Sequence, residues 1–299
     1  MSTRPPRKRR AAAASLEARA AEFLISPRVR ADAAGFLPPM VSYAQNYEDV
    51  ILRRALQDVT NGFYIDVGAW HPVHDSVTAW FYEIGWRGVN IEPNPEYFTP
   101  LAAAREEDTN LPVLVGAAKG RRDFTVLSGT GLSSGAAGAA AFLAGQNLGT
   151  PTSISRPTMT LEQVFALAEG RTVDFLKVDV EGMETEVLGS SPLRAVRPRI
   201  IVVEATAPNT QTPTHEAWEP ILIARDYACV LFDGLNRFYL RAEDAWRTPI
   251  FATPPNVFDN FMGPTRRFQT ARAAEAAARA EGQVAELRRL LRLRRRRRI

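Results

Sequence analysis

The sequence has almost no cysteine and no long apolar run. Cys229 is the only cysteine among 299 residues, so an internal disulfide is excluded. Cys229 stands in the apolar stretch YACVLFDG, which predicts a buried strand with a small core residue at that position. No apolar run reaches the roughly 20 residues that span a bilayer. The stretch AAAASLEARAAEFLI is interrupted by charges and makes a poor secretory signal. We therefore expect a cytoplasmic protein, with peripheral binding at the inner membrane face as an option.

A glycine-rich phosphate loop is also missing. The stretch GFYIDVGAWHP begins with a predicted strand. This strand ends at Asp66 and Gly68, as many nucleotide-binding strands end in an acid and a glycine. Trp70 then occupies the position of the second glycine of G-x-G-x-x-G, and Pro72 has no N–H group. A pyrophosphate needs bare backbone N–H groups at close approach, so this turn argues against a dinucleotide. The sequence likewise lacks a P-loop, a G-x-S-x-G elbow and the Cys–His spacing of a zinc site.

Acidic charge is concentrated in the body of the chain, and basic charge at its ends. Residues 1–30 carry a net charge of +6 and residues 265–299 one of +9, while the whole chain carries +4. Residues 31–264 are therefore acidic, which argues against a nucleic-acid partner for this part. We predict a basic extension at 1–30, disordered or helical, a single domain at 31–264 and a basic helical tail at 265–299.

The tail has several candidate partners. Its arginine run suits an anionic membrane surface or an acidic partner, and an apolar face of Val284, Leu287 and Leu291 suits self-association. A solvated basic tail without a partner is an equally good interpretation.

Strand and helix patterns alternate through the body of the chain. The strand patterns are GFYIDVG, GVNIEP, LPVLVGAA, DFTVL, VDFLKVDVEG and RIIVVEA, and the helix patterns between them include SVTAWFYEIGW, PEYFTPLAAARE and METEVLGS. The alternation predicts an α/β fold with a mostly parallel, doubly wound sheet covered on both faces. ACVLFDG and NRFYLR predict a C-terminal hairpin that adds an antiparallel strand. Asp75 or Ser76 is expected to cap the first of these helices. The uncharged Gly, Ser and Ala-rich residues 128–153 predict a binding loop or disorder.

Two acids follow neighbouring strands at the predicted ligand-binding edge of the sheet. Asp66 ends the first strand, and Glu92 ends the second in NIEPNP. A carboxylate can accept hydrogen bonds from both hydroxyls of a ribose. S-Adenosylmethionine has a ribose but no phosphate, so it fits a glycine-poor turn, with Asp66 near its amino-acid end. The alternative is structural, with both acids capping helices.

Four ordered motifs resemble one known family. SYAQNYEDVILRRAL, NGFYIDVGAWHPVHDSVTAWFYEIGWRGVNIEPNP, DFLKVDVEGMETEVL and LFDGLNRFYL, within residues 41–242, are similar to FkbM-type S-adenosylmethionine-dependent methyltransferases. The resemblance implies a Rossmann-like methyltransferase fold, S-adenosyl-L-methionine as cofactor, and methyl transfer to a hydroxyl of a sugar, glycan-like molecule or polyketide. It implies these cofactor-binding residues: Gln45, Asp66, Gly68, Ala69, Glu92 and Asp179. Trp70 departs from the family pattern, in which Asn or a small residue is common.

The Asp-x-Glu-Gly stretch supplies the candidate catalytic groups. Lys177 and Asp179 share one face of a strand that is otherwise apolar, so either an ion pair or catalysis must explain them. We predict Asp179 as the base or the acceptor-orienting group, Glu181 as its support, and His71 as the alternative base. Asp179, Glu181 and Glu204 offer oxygen ligands for a hard divalent cation, but their spacing does not demand one, and no metal site is predicted.

Three functions compete at this point. The first is an O-methyltransferase acting on a hydroxyl of a carbohydrate, glycan or secondary metabolite. The second is an oxidoreductase with a nucleotide cofactor, against which the glycine-poor turn argues. The third is a non-catalytic scaffold that uses its basic tail, against which the intact acids Asp66, Glu92 and Asp179 argue.

Overall fold

The computed structural model describes residues 39–136, 145 and 149–264. The predictions for residues 1–30 and 265–299, and for much of the Gly, Ser and Ala-rich segment, lie outside these residues. Within the described residues, no helix combines the length and the apolar character that crossing a bilayer requires.

Strands and helices alternate along the described chain. The strands are β1 (Met40–Val41), β2 (Phe63–Val67), β3 (Arg87–Ile91), β4 (Thr109–Leu111), β5 (Leu114–Val115), β6 (Gly120–Val126), β7 (Thr152–Met159), β8 (Phe175–Val178), β9 (Ile200–Glu204), β10 (Tyr227–Phe232), β11 (Asn236–Arg241) and β12 (Phe261–Met262). The α-helices are α1 (Glu48–Ala55), α2 (Ala79–Glu83), α3 (Pro95–Ala104), α4 (Leu161–Ala166), α5 (Glu184–Gly189) and α6 (Glu219–Ile223). Short 3-10 helices span His215–Ala217, Ala242–Phe251 and Val257–Asp259.

A seven-stranded sheet organises the α/β fold. Its strand order is β10-β11-β9-β8-β2-β3-β4. The five strands from β9 to β4 are parallel, whereas β11 runs antiparallel to both β9 and β10. The predicted mostly parallel sheet, with an antiparallel strand from the C-terminal hairpin, is confirmed.

The sheet is apolar on both faces, and helices cover each of them. On β2, Ile65 packs with α4, α5 and α6, whereas its neighbour Tyr64 packs with α1 and α2 on the opposite face. Burying one large apolar side chain contributes about 1.5–3 kcal/mol, so these two cores hold the strand ends in place.

A second, three-stranded sheet has the order β5-β7-β6. The predicted strand LPVLVGAA is divided between the two sheets, because Pro112 lies between β4 and β5 and cannot donate to a ladder. β6 and β7 form an antiparallel pair, which we call the ribbon (residues 120–126 and 152–159). The pattern TSISRPTM of β7 has too few apolar residues to predict a strand.

Two local predictions are wrong. Helix α2 begins after Thr78 rather than after Asp75 or Ser76, and no side chain caps it. The Thr78 hydroxyl instead donates to Asp66 at 3.3 Å. Cys229 is exposed rather than buried, because β10 is an edge strand of the sheet.

Candidate active site

The register of four parallel strands assembles the candidate site. Val67 pairs with Ile91 on one side and with Val178 on the other, and Val178 pairs with Val203. The residues that follow these paired positions are therefore neighbours across the carboxyl edge of the sheet. They are Glu92, Gly68, Asp179 and Glu204.

This edge opens into a cleft of about 750 Å³. The carboxylates that line it are Asp66, Asp75, Glu92, Asp179, Glu181 and Glu204. Lys177 is the only basic residue among the described residues of the lining. Leu114, Phe124 and Met183 contribute an apolar wall. The cleft is therefore suited to a ligand that carries positive charge and an apolar part.

Gly68 allows two strand ends to approach each other closely. Its φ is +86°, a left-handed conformation that favours glycine, and a Cβ there would lie 1.7 Å from the Asp179 carbonyl oxygen. The backbone that approaches Gly68 closely is that of Asp179. Any side chain at this position would displace Asp179 from the cleft.

Glu92 is held by backbone donors on both of its oxygens. The Trp70 N–H donates to Oε2 at 2.9 Å, and the Asn94 N–H donates to Oε1 at 2.6 Å. Burial raises the Glu92 pKa to about 7, although these two hydrogen bonds lower it. Trp70 adopts a φ of +49°, a region in which Asn is much less strained than most residues. A carboxylate oxygen has more than one acceptor site, so the oriented Glu92 can still accept from a ligand.

Lys177, at the end of the buried strand β8, interacts with the acids Asp179 and Asp66. Its Nζ donates to Asp179 Oδ2 at 3.0 Å and to the Gly68 carbonyl oxygen at 3.4 Å, and lies 3.8 Å from Asp66 Oδ1. Burial alone lowers the Lys177 pKa, but Asp179 and Asp66 outweigh burial and raise it. Burial raises the Asp66 pKa to about 6, and Lys177 opposes this shift. The lysine therefore stays charged and fixes both strand ends.

Asp179, Glu181 and Glu204 form a carboxylate cluster. One oxygen from each lies within 4.8 Å of the others. Burial, with the nearby Asp179 charge, raises the Glu181 pKa to about 8 and the Glu204 pKa to about 10. At neutral pH the cluster therefore already holds at least one proton, and its oxygens are also close enough to hold a hard divalent cation.

The raised Glu204 pKa predicts a pH-dependent stability. Folded Glu204 keeps its proton up to about pH 10, whereas the unfolded side chain loses it near its ordinary pKa of 4.5. Between these values folding takes up a proton, so the unfolding free energy falls as pH rises, by up to about 1.4 kcal/mol per pH unit. Glu204→Gln should therefore gain stability over wild type at pH 8 relative to pH 5, as measured by urea unfolding.

Exposed Glu216 offers a matched control, since Glu216→Gln makes the same chemical change outside the cleft. The difference in unfolding free energy between Glu216→Gln and wild type should be the same at pH 5 and pH 8. A Glu204→Gln variant that loses equal stability at pH 5 and pH 8 would contradict the assignment.

Among the other predicted site residues, Gln45 and Ala69 line the cleft, whereas His71 does not. His71 Nδ1 accepts the N–H groups of Val73 and His74, each at 3.0 Å. The single proton of the neutral imidazole must then reside on Nε2, which leaves no nitrogen free to act as a base. Burial and neighbouring His74 lower the His71 pKa to about 4. The geometry does not support His71 as the alternative base.

Several lining residues were not predicted from the sequence. Asn94 caps helix α3, because its Oδ1 accepts the Glu96 N–H at 3.0 Å. Its buried Nδ2 has no hydrogen-bond partner among the described residues, so it is a donor available to a ligand. The Asn-Pro pair that opens α3 signals a cap but not a ligand. In the sequence, Phe124 and Met183 have the pattern of ordinary core residues, and no sequence signal marks them as residues of a ligand-binding cleft.

Comparison with known families bears on this geometry directly. The FkbM methyltransferase domain matches residues 66–229. The chain belongs to this family. The matched range runs from Asp66 to Cys229 and contains the cleft acids Glu92, Asp179 and Glu204, so membership supports a methyltransferase. A search of curated proteins found no match.

Proposed function

We propose that this FkbM-family protein is an S-adenosylmethionine-dependent O-methyltransferase with a Rossmann-like fold. Its acceptor is a hydroxyl of a carbohydrate, a glycan or a secondary metabolite. The charge of the cleft carries the proposal, since six acidic side chains and one lysine line it among the described residues, and the cleft stays negative even with Glu181 and Glu204 protonated. S-Adenosylmethionine has a sulfonium and an ammonium cation and no phosphate, whereas a dinucleotide has a doubly negative pyrophosphate. The acidic cleft favours the first and disfavours an oxidoreductase.

Residues already placed in the cleft fit the cofactor. Glu92, held by two N–H groups, is suited to accept from the ribose hydroxyls, and the Nδ2 of Asn94, which has no partner among the described residues, is a donor nearby. Asp66 Oδ1 accepts no hydrogen bond among the described residues and is suited to the ammonium group. Gln45 and Ala69 complete the enclosure.

The carboxylate cluster is suited to the acceptor hydroxyl. The bound cofactor supplies an electrophilic methyl group. Asp179, oriented by Lys177, accepts or directs the hydroxyl proton. With a pKa near 8, Glu181 is mostly protonated at neutral pH and supports Asp179 as a hydrogen-bond donor. A non-catalytic scaffold would have no use for this costly arrangement of buried charge.

Glu92→Ala tests the cofactor assignment. Loss of charge-assisted bonds to the ribose should weaken S-adenosylmethionine binding by about 1.5–3 kcal/mol, measured by titration calorimetry. Glu106→Ala, at an exposed position outside the cleft, should bind as wild type does. Equal affinities for wild type and Glu92→Ala would place the ribose elsewhere.

A further inference from the structure

Two arginines lie directly opposite each other on the ribbon. Arg122 of β6 pairs with Arg156 of β7 in the antiparallel register. Directly opposed side chains share a face of the sheet, with their Cβ atoms about 5 Å apart. Like charges in this position are destabilising, so the pair calls for a compensating role.

The arginine pair faces the same side as the wall of the cleft. Phe124, which lines the cleft, comes two residues after Arg122 and therefore lies on the same face, about 7 Å along the strand. Arg122 Nη1 also lies 4.0 Å from the sulfur of Met183, another residue of the lining. Arg122 thus borders the wall of the cleft without lining the cleft itself, and Arg156 lies opposite it on the same face, which we call the rim.

Among the described residues, only one of the two arginines has an acidic partner. Arg122 Nη1 lies 2.9 Å from Glu186 Oε2. Within the described part of the chain, the Arg156 side chain makes no hydrogen bond or ion pair, and its Nε is buried without a partner. The hydroxyl of Thr158, two residues along the same face, is also buried and unpartnered. Unpaired buried donors are costly, which is typical of a site that a ligand completes.

The rim and the floor of the cleft have opposite charge. The ribbon, with three arginines and Asp123, carries a net charge of +2, although the body of the chain is acidic. The floor is the part of the described lining that holds the six acidic side chains. A guanidinium group binds planar carboxylates and phosphates through parallel N–H bonds.

We propose that Arg156, with Arg122, binds an anionic group of the acceptor, a carboxylate or a phosphate. The acceptor is then an acidic hydroxyl compound. The acidic floor repels its anionic group toward the ribbon, which directs its hydroxyl toward Asp179. This inference rests on the proposed function for the identity of the ligand as an acceptor, but anion binding itself requires no cofactor.

The test is a titration of the cofactor-free protein with three probes: glucuronate, glucose 6-phosphate and neutral glucose. Wild type should bind at least one of the acidic sugars at least tenfold more tightly than glucose, and Arg156→Gln should abolish this preference. The better acidic probe identifies the anionic group as carboxylate or phosphate.

Arg121→Gln is the matched control. Arg121 lies on the same strand but on the opposite face, where it bonds to Ser155. It should leave the preference unchanged. Equal binding of all three probes by wild type, or equal loss in Arg121→Gln and Arg156→Gln, would overturn the proposal.

A stability measurement separates binding from a structural role. Arg156→Gln removes a like-charge contact, so its thermal midpoint should equal or exceed that of wild type. A lower midpoint together with lost binding would assign Arg156 a structural role and contradict the proposal. A parallel titration with S-adenosylmethionine separates the anion-binding inference from the proposed function. Cofactor binding without the preference for acidic sugars refutes only the inference. A preference for acidic sugars without cofactor binding refutes only the proposed function.

Discussion

Asp179→Asn is expected to lower methyl transfer by about a hundredfold or more, while cofactor affinity changes by no more than a few-fold. The substitution keeps the shape of the side chain but removes the charge that accepts or directs the hydroxyl proton. A general base contributes typically 10²–10⁴-fold to rate. Because Lys177 remains anchored by the Gly68 carbonyl oxygen and Asp66, the strand ends should stay in place. Turnover is measured as release of S-adenosylhomocysteine.

Asp226→Asn controls for the chemical change, since Asp226 is exposed and lies outside the cleft. It should keep wild-type turnover. Near wild-type turnover in Asp179→Asn would move the base to Glu181 or Glu204. Loss of wild-type turnover with EDTA, restored by magnesium, would instead make Asp179 a metal ligand.

Gly68→Ala should cost about 2–5 kcal/mol of unfolding free energy and abolish cofactor binding. A left-handed φ costs an L-residue about 1–2 kcal/mol, and relieving the overlap with the Asp179 carbonyl typically costs a further 1–3 kcal/mol. The displaced backbone would carry Asp179 and its loop away from the cleft. Urea unfolding and calorimetry measure the two effects.

Gly85→Ala isolates the conformational part of this cost. Gly85 also has a positive φ, of +99°, but a Cβ there would meet no atom within 4 Å. It should lose only about 1–2 kcal/mol and retain cofactor binding. Equal losses for the two variants would show that close packing against Asp179 does not matter.

Much of the site could be predicted because parallel strands bring their carboxyl ends together. An acid lies at or near the end of each of three predicted strands, in GFYIDVG, NIEP and VDVEG. Asp66, Glu92 and Asp179 could therefore be placed at one edge of the sheet. Which residues of neighbouring strands lie side by side depends on the strand register, which the structure supplies through the pairing of Val67 with Val178. Sequence pattern alone does not specify which residues of two parallel strands are neighbours.

Other features depend on contacts between distant segments. His71 could be considered a base from its type, but its Nδ1 is occupied by the backbone of its own turn. Cys229 has an apolar neighbourhood in sequence but an edge position in space. The ribbon strand β7 has little apolar character, and only its pairing with β6 brings Arg156 opposite Arg122.

Titration of the wild-type protein with S-adenosylmethionine and, separately, with NAD tests the central claim most directly. The acidic, glycine-poor cleft predicts saturable S-adenosylmethionine binding in the micromolar range, roughly −8 kcal/mol, and no binding of NAD. Binding of NAD without any S-adenosylmethionine heat would contradict the account.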